Sequence, residues 1–255
     1  MKLSVVLATY NEEKNIKDCL QSVKNIADEI IVADGTSTDK TGQIAHLCGA
    51  KVFTVPNNPM FHRNKQLAVS KAKGEWILQL DADERVSPQL EKEIVTIINS
   101  GNQTYNGFYL PRKNWFLGKF LAKGGVYPDY VIRLFKNGRG HFPVESVHEQ
   151  IEIKGDVGHL KSDLIHLADP NLEKYLMRFN RYSDLSAQDL LKEGFRPSFF
   201  GVFEYFLVKP VYWFLVRFVR HKGFIDGFQG FLFALFSSLH YPVMYSKAWE
   251  KFKNS

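Results

Sequence analysis

Asp81, Asp83 and Glu84 stand within four residues, directly after the apolar run Trp76-Ile77-Leu78-Gln79-Leu80. Carboxylates crowded like this repel one another, so something positive must lie beside them. Two acids spaced i, i+2 at the end of a strand can hold one hard divalent cation through oxygen. Mg²⁺ or Mn²⁺ there would remove the repulsion, and the oxygens of a diphosphate would complete its shell. Glu84 is less committed: glutamate is usually exposed, and it reads equally well as a surface bystander.

The elements that must position these acids are legible upstream. "KLSVVLAT" (2–9), "EIIVAD" (29–34), "AKVFTV" (50–55) and "EWILQL" (75–80) are short apolar strands. Between them "EEKNIKDCLQSV" (12–23), "DKTGQIAHLCG" (39–49) and "HRNKQLAVSKAKG" (62–74) carry helical spacing. Ser87-Pro88 starts a further helix, with Ser87 as N-cap. Strand–helix alternation of this kind predicts an α/β fold with a mostly parallel sheet and flanking helices.

In such sheets ligands bind beyond the carboxyl ends of the strands. Thr9-Tyr10-Asn11-Glu12 follows the first strand, Asp34 to Asp39 the second, and Asp81-Ala82-Asp83 the fourth. Thr36 and Thr38 are equally ordinary as helix caps. No G-x-G-x-x-G or G-x-x-x-x-G-K-[ST] pattern occurs, which argues against dinucleotide and P-loop sites.

The chain has 255 residues, 45% of them hydrophobic, and a net charge of +6 from 33 basic and 27 acidic side chains. A mild positive excess suits phosphates or an acidic membrane surface. No RNA- or DNA-binding signature accompanies it, so no nucleic-acid partner is expected. Cys19 and Cys48 are too few for a disulfide framework, and no secretory signal is visible, so a reducing cytoplasm is expected.

From about 105 to 165, short strand-like pieces broken by Gly and Pro predict a mixed β region that extends the sheet. Residues 171–194 read as an amphipathic helix. The domain expectation is a catalytic domain over 1–170, with a nucleotide-binding half (1–100) and an acceptor half (101–170), followed by a helical region over 171–255. Of 21 Phe, 12 lie between Phe195 and Phe236. Residues 199–224 and 224–245 are greasy but interrupted by charges, and neither reads as a clear span. Aromatics with scattered Lys and Arg suit helices lying in a bilayer interface. An oligomer interface, or packing against the catalytic domain, is the alternative.

"VVLATYNEE", "IIVADGTSTDKT", "RNKQLAVSKAKGEWILQLDADE" and "VHE" together resemble the family 2 glycosyltransferases of GT-A fold, in particular the small bacterial lipopolysaccharide-core β-glucosyltransferase type. The resemblance covers roughly residues 1–170. It implies a Rossmann-like GT-A domain, with the aromatic C-terminal helices carrying no specific motif. Matching positions imply that Thr9, Tyr10 and Glu12 wall the nucleobase and ribose, and that Asp34 accepts from the uracil ring N–H. Lys65 falls near the base and diphosphate, with Arg63 or Asn64 sharing that role. Asp83 resembles the main metal ligand, and Asp81 the residue reaching the ribose or a metal-bound water.

Inverting sugar transfer needs a base for the acceptor hydroxyl and an electrophile for the departing diphosphate. The base candidates are Asp129, Glu145 and Glu149; the family's "HE" after the "RLF" strand favours Glu149, with Asp129 next. His166 is the expected further metal ligand and His148 the alternative, although His166 also reads as a satisfied core histidine. Arg133, Arg181 and Tyr182 are candidates for phosphate or acceptor contact. Gly124-Gly125 marks either a closing loop or an ordinary turn.

The expected activity is transfer of a hexose from a UDP-sugar to a glycolipid or lipopolysaccharide-core acceptor, at the cytoplasmic face of the inner membrane. Residues 195–245 would make the peripheral contact. A polyprenyl-phosphate acceptor, or a sugar nucleotidyltransferase, is the alternative.

Overall fold

The computed structural model describes residues 1–58, 60–101, 104–143 and 151–254. The chain opens with β1 (Leu3–Thr9), α1 (Ile16–Gln21), β2 (Glu29–Asp34), α2 (Thr41–Leu47), β3 (Lys51–Thr54), α3 (Phe61–Ser70), β4 (Trp76–Leu80), β5 (Glu84–Val86) and α4 (Pro88–Asn99). The strands β6 (Gly107–Phe116), β7 (Lys119–Phe120), β8 (Asp129–Lys136), β9 (Gly140–His141), β10 (Glu152–Ile153), β11 (Val157–His159) and β12 (Leu164–Asp169) follow, and then α5 (Leu172–Lys192). Two compact units emerge: Met1–Arg112 with Asp129–His166, and Lys113–Pro128 with Leu167–Ser255.

In the first unit the strand order is β3-β2-β1-β4-β8-β6-β12-β5. β1 pairs in parallel with β2 and β4, and β2 with β3. β8 then runs antiparallel to both β4 and β6, and β5 antiparallel to β12. This is the extended mixed sheet expected from the sequence. β2 and β4 are buried along their whole length, as their unbroken apolar runs require when both faces are covered. Leu3, Val5 and Leu7 pack with Ile16, Leu20, Leu90 and Ile94 of α1 and α4 on one face. Val6, Ile31 and Ala33 pack with Ala68 and Val69 of α3 on the other.

Ser87 caps α4 as expected, its Oγ accepting from the Leu90 N–H at 3.2 Å. At the far end of the sheet, Glu29 accepts from Ser4 Oγ (2.7 Å), Lys73 N–H (2.7 Å) and Lys51 Nζ (2.9 Å). Gly74 is needed there, because a Cβ would stand 2.7 Å from the Ser4 nitrogen.

In the second unit α5 is capped by Asn171, whose side chain accepts from Lys174 N–H, and runs unbroken to Lys192. Phe116, Leu121 and Tyr175 form its small core with Phe179, Phe233 and Phe236. A continuous helix, Phe199–Arg220, follows. It has the length and composition to cross a membrane, with a mean hydropathy of 1.4, and none of that apolar window is buried. Two of the charges that interrupt it in the sequence are absorbed locally: Lys209 pairs with Glu204 at 2.8 Å and lies 3.6 Å from the Tyr205 ring centre. A short 3₁₀ turn, Gly223–Asp226, leads into the last helix, Gly227–Lys253.

The loop before Asp129 is bolted to these helices. The buried Asp226 carboxylate accepts from the Lys123 N–H at 2.7 Å and the Ala122 N–H at 3.1 Å. Arg217 Nη1 donates to the carbonyls of Gly124 and Gly125 at 3.0 Å each.

Candidate functional site

The first two strand ends meet. Thr9 lies opposite Asp34 in the β1–β2 register. Gly35 N–H donates to the Thr9 carbonyl at 2.8 Å, and a Cβ on Gly35 would press on that same oxygen at 3.2 Å. The Asp34 carboxylate takes the Ser37 hydroxyl at 2.5 Å. Asn11, at φ 53, joins the two loops by accepting from Thr38 N–H and donating its own N–H to Ser37 Oγ. Glu12 donates its N–H to Thr41 and accepts from Asn15 Nδ2. Tyr10 is exposed, and Thr9 Oγ1 is buried without a hydrogen-bond partner among the described residues.

The acidic stretch is a tight turn, closed by Glu84 N–H donating to the Asp81 carbonyl at 2.9 Å. Asp81 is compensated from two sides. Lys65 Nζ from α3 and Arg133 Nη2 from β8 each approach its carboxylate to 2.5 Å. Burial pushes the Asp81 carboxyl up, but the charges of Arg133 and Lys65 outweigh it and hold the group well below the usual carboxylate range. Arg133, by contrast, is raised on balance: burial opposes its charge, and Asp81 and Glu84 more than offset that.

Glu84 is no surface bystander; it is 0% exposed. One oxygen accepts the Asp81 N–H at 3.0 Å, and the other lies 2.8 Å from Arg133 Nη2 and 3.5 Å from Arg112 Nη1. Arg112 in turn forks onto Asp129, at 2.9 and 2.7 Å. Lys65, Asp81, Arg133, Glu84, Arg112 and Asp129 thus form a chain of alternating sign. The repulsion between Asp81 and Glu84 is relieved by basic side chains.

Asp83, at the corner of the turn, is half-buried. Its Oδ2 lies 3.6 Å from His166 Nε2, because β12 pairs with β5 and sets His166 opposite Glu84. Two donors this far apart fit one cation held at about 2.1 Å from each. Among the described residues no group of three or more His, Cys, Asp or Glu converges. The protein would therefore offer Asp83 and His166, with nucleotide and water filling the remaining positions.

Other expected residues lie elsewhere. Arg63 stands exposed on α3, and Asn64 donates to the Pro56 carbonyl. Arg181 and Tyr182 are exposed on α5, in the second unit. Glu145, His148 and Glu149 lie outside the described residues. Arg112 and Gln79, whose Oε1 accepts from Arg133 at 2.5 Å, were not legible as site residues. The available signal was a charge or amide inside an otherwise buried strand.

The chain is similar to known proteins in sequence and in fold. The Glycosyl transferase family 2 profile matches residues 4–126. A glycosyltransferase of Rickettsia bellii is 32% identical over 243 residues, spanning 91% of this chain and 80% of its own. The lipopolysaccharide core biosynthesis glycosyltransferase LpsC of Rhizobium meliloti is 24% identical over 257 residues, spanning 98% and 93%. Among solved structures, residues 1–349 of S. aureus TarS align with a TM-score of 0.50 and 18% identity, over 92% of this chain and 81% of that one. TarS has also been crystallised with UDP and with UDP-GlcNAc. The fold is the GT-A arrangement expected from the sequence.

Proposed function

The chain belongs to glycosyl transferase family 2, and from that membership we propose that it is an inverting, metal-dependent transferase moving a hexose from a UDP-sugar to a glycolipid or lipopolysaccharide-core acceptor. The observation that carries the proposal is the Asp81–Glu84 turn, where Asp83 stands beside His166 and two cationic side chains converge on Asp81. The UDP and UDP-GlcNAc complexes of TarS support a UDP-sugar donor. The name of LpsC supports the acceptor class.

The roles proposed are these. Thr9 Oγ1, buried and unpartnered among the described residues, and Asp34 beside it suit the polar edges of a base and ribose. Asp83 and His166 would hold Mg²⁺ or Mn²⁺. A divalent cation bound there supplies Lewis-acid neutralisation of the departing diphosphate. Lys65 and Arg133 would flank the same leaving group while paired with Asp81 and Glu84, and Arg133 Nε is buried with no partner in the protein among the described residues. Preorganised charge of this kind favours the transition state because it needs no rearrangement during reaction.

Asp129 is engaged by the Arg112 fork. Glu149 is the base we assign, on the "HE" that follows the "RLF" strand in the family pattern. The bare apolar helix Phe199–Arg220 would lie against the cytoplasmic face of the inner membrane, where a lipid-linked acceptor resides.

The test is hydrolysis and transfer with a panel of UDP-, GDP- and CDP-sugars, with Mn²⁺ or with chelator. Turnover of a UDP-sugar only when metal is present is the expected result. Equal turnover in chelator would overturn the metal assignment, and inertness toward every UDP-sugar would overturn the donor.

A further inference from the structure

Glu84 has no role in the reaction as described so far, yet it is the most enclosed acid of the site. Its Oε1 is shared by two guanidinium groups from different strands, Arg133 on β8 at 2.8 Å and Arg112 on β6 at 3.5 Å. Its Oε2 fixes the backbone of the turn through the Asp81 N–H at 3.0 Å. Each arginine continues to a different carboxylate: Arg133 to Asp81 beside the donor residues, Arg112 to Asp129.

We infer that Glu84 is the positioning residue that registers the donor side of the site against the acceptor side, by holding Arg133 and Arg112 on one carboxylate. The inference rests on the transferase reading. Two guanidinium groups brought to one oxygen repel each other, and the Glu84 carboxylate between them offsets that repulsion. A buried carboxylate with two hydrogen-bond donors and a second guanidinium 3.5 Å away has little freedom to move, so the arginines inherit its position. Lys65 reaches Asp81 independently of Glu84. Loss of Glu84 should therefore disturb the alignment of donor with acceptor more than the binding of nucleotide.

The experiment uses the full chain in detergent, with the variants E84Q, R112Q and the double variant. UDP affinity, transfer kcat and KM, and unfolding free energy are measured for each. E84Q is expected to lower kcat by roughly 30-fold, the scale of a modest misplacement of reacting groups, while UDP affinity stays within about threefold. The double variant is expected to be no slower than the slower single variant, because both break one array. Turnover of E84Q within about twofold of wild type, or losses that simply add in the double variant, would overturn the inference.

Should E84Q fail to fold, E84D keeps the charge and carries the test. Its kcat should exceed that of R112Q, and a kcat at or below R112Q would overturn the inference. A wild-type chain without turnover would sink the transferase reading instead. The Glu84–Arg112 coupling in unfolding free energy reads the pairing without catalysis, and additive unfolding losses would overturn the pairing itself.

Discussion

Asp83 and His166 face each other with carboxylate Oδ2 and imidazole Nε2 3.6 Å apart. If they share a cation, each should matter to metal before it matters to nucleotide. Asp83→Ala is expected to lower kcat by about 100-fold or more, the scale of losing a transition-state charge stabiliser. His166→Ala should mainly raise the Mn²⁺ concentration needed for half-maximal rate, by about tenfold or more. Metal titrations of donor hydrolysis check both. An unchanged Mn²⁺ requirement in His166→Ala would return that residue to a packing role.

Glu149→Gln tests the base. Loss of general-base catalysis should reduce transfer to a hydroxyl acceptor by about 100-fold or more, with UDP affinity preserved. An acceptor phosphate is already ionised and needs no base, so near-normal turnover with a polyprenyl phosphate would favour that alternative. Asp129→Asn should cost less, because Asp129 is already committed to Arg112.

Glu29 makes a prediction about stability and pH. Burial alone would raise its pKa, but hydrogen bonds from Lys51, Ser4 and the Lys73 N–H outweigh that and lower it below the ordinary glutamate value. A folded-state pKa below the unfolded one favours the ionised native state. The contribution is complete above about pH 4.5 and is lost as pH falls from there through the folded value. Glu29→Ala leaves Ser4 and the Lys73 N–H without their acceptor and should cost about 2 kcal/mol. Thermal melts at pH 7 and pH 3.5 should differ less for the variant than for wild type.

The exposed helix predicts lipid binding. Phe199 and Phe200 are 82% and 81% exposed, with Arg196 just before them and Arg217 and Arg220 at the other end of the helix. Sedimentation with vesicles containing anionic lipid should pull down the wild-type chain. Changing both phenylalanines to serine should weaken partition by about tenfold or more, on the free energy of burying such rings. Binding unaffected by that change, or self-association that persists without lipid, would point to an oligomer interface.

The first hundred residues of the fold were legible because buried parallel strands write themselves as apolar runs, and because Ser87-Pro88 is a strong helix start. The same logic located Asp34, Asp81 and Asp83 at strand ends. β5 was not legible: three residues after a tight turn leave no periodicity to read. Glu84 was misjudged because glutamate is seldom buried, and its partners arrive from 28 and 49 positions downstream, as Arg112 and Arg133. Arg112 sits within a strand that reads as structural, and only pairing with β8 brings it to Asp129. The continuity of Phe199–Arg220 was hidden by Lys209 and Glu204, which neutralise each other on the same helix.

Asp226 and Arg217 bear on how this enzyme can be handled. Trimming the chain near residue 195, the usual route to a soluble catalytic fragment, would delete both. The amides of Ala122 and Lys123 and the carbonyls of Gly124 and Gly125 would lose their partners just ahead of Asp129. A shortened fragment should therefore fail as a crystallisation or screening target, and a chain that keeps residues 196–255 is the better vehicle.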